Sequence, residues 1–274
     1  MGSYQESSSC CFQDCRHYSG EGSMASEKRV IRPTPWIFFL LLFLITIPEY
    51  VIGLVPPCSI LMVINPFIAA SLLTCRENGS DGIMLFLRRS FDFRRIRRRI
   101  WYLPIIFLMP MAILVSFGWM IATGASSENL QVPAMIAVLF LVFFIAAIGE
   151  ELGWSGYALE PLQDRWGALP AAIIIGMVWA LWHLVPYALA NPMAWVAGQC
   201  LATVMIRVLM VWIFNNTGKS VFGMILFHAM VNLCTVPDYG LPYDPVILGM
   251  ILTVIAAAVV YLWGPGTLAR YRGA

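Results

Sequence analysis

Six ionisable side chains fall within stretches that are otherwise almost wholly apolar: Glu49, Glu150, Glu151, His183, Arg207 and His228. The amides Asn65 and Asn232 lie in the same stretches. An ionisable group in an apolar medium costs several kcal/mol unless water or a partner offsets it, so each such residue is a functional candidate. A carboxylate in a partly dry cavity can act as base and then as acid. An imidazole or amide can supply fixed hydrogen-bond donors.

Three groups have informative spacing. Glu150 and Glu151 are adjacent, so on a helix they point about 100° apart and only one can face a given cavity squarely. Glu151 then shares its face with Ser155, and Glu150 with Trp154. The apolar pattern continues through Leu152, Trp154, Tyr157 and Leu159 to Pro161, which predicts a helix running past the glutamates. A pair of interfacial acids ending a helix is the plainer reading. His183 stands one turn after Trp179 and shortly before Pro186, where packing alone could explain it. His228 and Asn232 are spaced i, i+4 and project from one face. Such a pair could simply bond two helices together, a contribution of about 1 kcal/mol.

The elements that carry these residues follow from composition. Of 274 residues, 60% are hydrophobic and 12% charged, with a mean hydropathy of +0.78. A soluble domain of this length cannot hide so much apolar surface, so lipid must cover the excess. A membrane span needs about 20 apolar residues. Eight stretches qualify, near 35–55, 57–75, 101–123, 133–152, 169–190, 193–214, 219–236 and 246–264. The expected fold is all-α, a multi-pass transmembrane bundle of about eight helices over residues 33–274. Residues 1–32 read as a disordered polar tail, with no signal-peptide h-region and no myristoylation pattern, since position six is Glu6. Met24, which begins MASEKRV, is an alternative start. Cys10, Cys11, Cys15, Cys58, Cys75, Cys200 and Cys234 show no recurring paired spacing, so neither a disulfide framework nor a zinc site is expected from them.

Charge sets an orientation. With the N-terminus in the cytoplasm, Lys28, Arg29 and Arg32, the arginines between Arg76 and Arg99, and Arg165, Lys219, Arg270 and Arg272 all fall inside. Glu128, Asp238 and Asp244 fall outside. Both termini are therefore expected to be cytoplasmic, in the plasma membrane. The segment Gly82–Trp101 mixes arginines with Met84, Leu85, Phe86, Leu87, Phe91, Phe93 and Ile96, which predicts a short interfacial basic helix held by membrane lipids. No nucleic-acid partner is expected from an arginine run beside a span.

Taken together, the three groups resemble the CAAX protease and bacteriocin-processing (CPBP, or Abi) family, which includes the type II CAAX prenyl endopeptidases. That family carries Glu-Glu-x-x-x-Arg, Phe-x-x-x-His and His-x-x-x-Asn on three different transmembrane helices. Here they correspond to Glu150-Glu151-Leu-Gly-Trp-Ser155, Trp179-Ala-Leu-Trp-His183 and His228-Ala-Met-Val-Asn232. The resemblance covers about residues 130–240, the expected catalytic core, and extends to Gly156, Tyr157, Leu159, Pro161 and Leu162. It implies an intramembrane endopeptidase acting on a peptide or membrane-anchored protein. By the same resemblance, Glu150 is the base on water, His183 places that water, and His228 and Asn232 donate to the oxyanion.

The sequence departs from the pattern twice. Trp179 replaces Phe, which keeps an aromatic body for packing. Ser155 replaces Arg, which leaves Glu151 without its expected cation unless Arg207 or Arg165 substitutes. No cofactor is required by the resemblance, although Glu150, His183 and His228 could hold zinc with a water. Two other classes stay open: a non-catalytic immunity or scaffold protein on the same fold, and a transporter or proton relay. The latter lacks paired broken helices in matching halves. Substrate prenylation and oligomeric state are not readable from the sequence.

Overall fold

The computed structural model describes residues 34–52, 60–124, 135–235 and 241–270. The expected tail, Cys58, Glu128 and Asp238 lie outside the described residues. Among the described residues the protein is all helical, with no strand. The helices are α1 (Pro35–Val51), α2 (Ile60–Arg88), α3 (Tyr102–Ala122), α4 (Ile136–Glu151), α5 (Leu159–Trp166), α6 (Ala168–Ala190), α7 (Met193–Asn216), α8 (Val221–Thr235) and α9 (Pro245–Trp263). A π-helical segment, Leu152–Ala158, joins α4 to α5 without a break. The helix thus runs past the glutamates, as their flanking pattern predicts.

Each of the eight expected spans is matched by a helix. Among the described residues, five helical stretches are long and apolar enough to cross a membrane: Arg99–Ala122, Ile136–Trp166, Ala168–Ala190, Met193–Asn216 and Pro245–Trp263. Apolar α1 and α8 are shorter, at 17 and 15 residues. Large apolar side chains such as Leu40, Leu141, Val142, Ile145, Leu189 and Val254 are exposed, as expected of surfaces that face lipid.

Local chemistry sets the helix starts. Pro35 and Pro245 sit in the first turns of α1 and α9, where a missing N–H is harmless. Asp244 caps α9 by accepting from the Val246 and Ile247 amides at 2.7 and 3.2 Å. Gly79 adopts φ 67°, ψ −163° and kinks α2.

The basic segment departs from the expected single helix. After Arg88 it breaks into three 3-10 turns, Arg89–Phe91, Phe93–Arg95 and Arg99–Trp101. Its polar groups are committed to other elements instead of a helical repeat. Arg89 donates to the Gly156 carbonyl at 2.8 Å and to Glu160 at 2.9 Å. Asp92 accepts from the Ser220 hydroxyl at 2.7 Å and from the Phe222 amide at 3.0 Å, which caps the start of α8.

Two close approaches position the interior polar residues. A Cβ on Gly149 would lie 2.9 Å from the Val63 carbonyl oxygen, and one on Gly153 would lie 2.7 Å from that of Pro66. These two glycines, four residues apart, let the backbone of α4 and of the π-helical segment touch α2. A Cβ on Gly176 would lie 3.0 Å from the Val204 Cα, so α6 and α7 meet equally closely one turn before Trp179.

Candidate active site

With Gly149 and Gly153 against α2, Glu150 and Glu151 are buried against α6, α7 and α8. Glu151 is fully enclosed. Arg207 of α7 holds it in a two-pronged ion pair, Nη1 to Oε2 at 3.0 Å and Nη2 to Oε1 at 3.0 Å. The Ser155 hydroxyl, one turn on, also donates to Glu151. His228 of α8 presents Nδ1 to Glu151 Oε1 at 3.0 Å, and its Nε2 lies 3.9 Å from Glu150 Oε1. A carboxylate meeting a planar guanidinium in this fork geometry is fixed in orientation as well as charge.

Arg207 therefore occupies the electrostatic position that the Glu-Glu-x-x-x-Arg pattern gives to an arginine on the glutamate helix. Ser155 stands at the pattern's own position and now bonds the same carboxylate. Arg165, the other candidate, is directed elsewhere, with its guanidinium 4.8 Å over the Trp166 ring.

Glu150 has different partners. The Trp179 indole N–H donates to its Oε2 at 3.0 Å. The Arg207 guanidinium lies 4.4 Å over the face of the same indole, and the His228 ring packs edge-on to it at 5.0 Å. Trp179 thus does more than the expected packing, because its indole carries an N–H that the phenylalanine of the pattern lacks.

His183 does not hydrogen-bond either glutamate among the described residues. Its Nδ1 lies 3.0 Å from the Trp179 carbonyl. A carbonyl can only accept, so Nδ1 carries a hydrogen, and neutral His183 keeps its Nε2 lone pair for another donor. The ring stacks on Tyr187 at 5.3 Å and lies edge-on to Trp182 at 4.7 Å. Its link to Glu150 runs through Trp179, which accepts from His183 at its carbonyl and donates to Glu150 from its indole. Asn232 is half-buried one helical turn beyond His228, and its side chain makes no hydrogen bond among the described residues.

Glu49 and Asn65 belong to a second network. Asn65 donates to Glu49 at 2.9 Å and to the Thr46 hydroxyl at 3.1 Å. The Trp182 indole N–H donates to the same hydroxyl at 3.0 Å, and the Tyr50 hydroxyl donates to the Trp182 carbonyl. That carbonyl needs an outside donor because its helical partner four residues on is Pro186, which has no N–H. The short helix α1 thus grips α6 at the residue immediately before His183.

Among the described residues, no three His, Cys, Asp or Glu side chains converge as metal ligands. Of the Glu150, His183 and His228 set, His183 is hydrogen-bonded to the Trp179 carbonyl and, among the described residues, to neither of the other two. A cation drawn to Glu151 would also meet the Arg207 guanidinium already seated there.

An all-helical membrane bundle enclosing two glutamates, an arginine and a histidine from three separate helices defines a polytopic protein with a buried cluster of ionisable groups. Residues 132–234 match the type II CAAX prenyl endopeptidase Rce1-like family. The chain is also 29% identical over 215 residues to the CAAX prenyl protease 2 of Methanococcus maripaludis, a match covering 72% of this chain and 78% of that protein. Over this region the chain is similar to the CAAX prenyl proteases.

Proposed function

We propose that this protein is an intramembrane endopeptidase that hydrolyses a peptide bond of a membrane-associated substrate with water activated by Glu150. The observation that carries this reading is the convergence of Glu150, Glu151, Arg207 and His228 at one enclosed point. A proton-transferring carboxylate, a fixed neighbouring charge and an imidazole are the parts that water-based hydrolysis needs.

The steps balance without a covalent enzyme intermediate. Glu150 takes a proton from water as the water oxygen bonds to the scissile carbonyl carbon. The carbonyl electron pair moves onto its oxygen. Asn232 donates to that oxyanion, as does His228 from Nε2 when it is protonated on both nitrogens. Collapse re-forms the carbonyl and breaks the C–N bond, and the leaving amine takes the proton from Glu150. His183 accepts from the incoming water at Nε2. Glu151, tied to Arg207, acts on the reaction by orienting His228. No metal is needed, so a chelator is expected to leave cleavage intact.

The name of the archaeal relative supports a prenylated Cys-aliphatic-aliphatic-X terminus as substrate. The distribution of arginines supports a cytoplasmic placement of both termini in the plasma membrane. The test is cleavage of a farnesylated peptide of that type by the purified, membrane-reconstituted chain, with and without chelator. Cleavage by the wild type and its loss in Glu150→Gln support the protease. A phenotype kept by Glu150→Gln, with no cleavage by the wild type, supports the non-catalytic immunity or scaffold reading instead.

A further inference from the structure

Trp179 touches three charged or ionisable members of the site, Glu150, Arg207 and His228. Its N–H reaches Glu150 Oε2 at 3.0 Å, its ring face receives the Arg207 guanidinium at 4.4 Å, and its ring stands at 74° to that of His228 with centroids 5.0 Å apart. Its main-chain carbonyl lies 3.0 Å from His183 Nδ1. Trp179 is itself buried, so these contacts are not exchanged with bulk water. Glu150 is buried as well, and among the described residues the indole N–H is its one hydrogen-bond donor closer than the His228 nitrogen at 3.9 Å.

We propose that Trp179 is a positioning residue for Glu150: its indole N–H fixes the carboxylate rotamer beside His228, and its ring face seats Arg207 so that the same side chain orders both glutamates. The inference rests on Glu150 being the base, and it assigns the orientation of that base to an indole that phenylalanine could not replace. The two departures from the family pattern then form one arrangement. With an arginine arriving from α7 in place of one at Ser155, a wider aromatic surface is required at residue 179 to hold the guanidinium, and the indole adds the donor.

Two measurements test this, one of them independent of any substrate. In the reconstituted full chain labelled with 15N at tryptophan indoles, the Trp179 resonance is the one missing from Trp179→Phe. Glu150→Gln, which replaces a charged acceptor by a neutral one of the same shape, is expected to shift that resonance more than any other indole signal. An unmoved Trp179 resonance overturns the proposal whether or not a substrate has been found. With a farnesylated Cys-aliphatic-aliphatic-X peptide, Trp179→Phe is expected to lower kcat about tenfold with KM within about twofold, because the base is misplaced while the substrate still binds. An unchanged kcat, or a loss confined to KM, contradicts it. Absence of cleavage by the wild type would count against the protease reading, and the spectroscopic result would still decide the role of Trp179.

Discussion

Arg207 and Glu151 form a two-pronged ion pair with 3.0 Å on each prong and no exposed side-chain surface on either partner. The pair spans α4 and α7, so it ties the helix bearing both glutamates to the most enclosed helix of the bundle. A buried pair of this kind is weak evidence of net stability, but loss of one partner strands the other charge.

Arg207→Leu is therefore expected to destabilise the protein by about 3–5 kcal/mol and to abolish cleavage. Ser155 lies beside the pair, with its hydroxyl 3.4 Å from Arg207 Nη1. Adding Ser155→Arg to Arg207→Leu puts a cation back from the neighbouring position and is expected to recover a measurable part of both. Thermal unfolding in detergent and peptide cleavage follow the two quantities. No recovery in the double variant would show that the charge cannot be exchanged between the two helices.

The hold of α1 on α6 gives a second expectation. Tyr50→Phe leaves the Trp182 carbonyl without a donor, a loss of about 1–3 kcal/mol for a buried acceptor. Pro186→Ala gives the helix back its missing N–H. In that background Tyr50→Phe is expected to cost much less, and a double-mutant cycle on unfolding midpoints reads the difference. Equal costs in the two backgrounds would contradict the account.

Close packing of the π-helical segment on α2 can be probed at Gly153. A Cβ there would meet the Pro66 carbonyl oxygen at 2.7 Å, whereas one at Gly118 in α3 meets nothing within 4 Å. Gly153→Ala is expected to cost about 1–3 kcal/mol through overpacking and to lower activity by shifting the adjoining glutamates. Gly118→Ala serves as the neutral comparison. Similar behaviour of the two variants would remove steric contact as the explanation.

Asp92 joins the basic segment to the start of α8, which carries His228. Asp92→Ala removes acceptors for the Ser220 hydroxyl and the Val221 and Phe222 amides. The expected loss is about 1 kcal/mol, the usual effect of deleting an N-cap. Hydrogen exchange should report it as faster exchange in the first turn of α8, with later turns unchanged.

Much of this arrangement was legible before any coordinates. Apolar runs of span length marked the helices, and the residues flanking Glu150 marked a helix that continues through Pro161. The i, i+4 relation of Glu151 and Ser155 predicted their shared face, and their hydrogen bond bears it out. Arg207 and Arg165 were both candidates to neutralise Glu151, but choosing between them needed the approach of α7 to α6 at Gly176. The four-residue spacing of Gly149 and Gly153 is a sequence signal for close helix contact. The Tyr50 bond to Trp182 had no sequence signature beyond Pro186, which says that a carbonyl is freed but not which side chain satisfies it. The basic segment misled because residue composition reports affinity for an interface, whereas Arg89 and Asp92 are spent on particular tertiary bonds.

The central claim is that Glu150 activates water. It is tested most directly by the cleavage rate of a farnesylated Cys-aliphatic-aliphatic-X peptide by wild type and Glu150→Gln chains of equal thermal stability, reconstituted in the same membrane. The account predicts cleavage by the wild type and at least a thousandfold loss in the variant, about 4 kcal/mol of transition-state stabilisation. A Glu150→Gln chain that cleaves at the wild-type rate would contradict it.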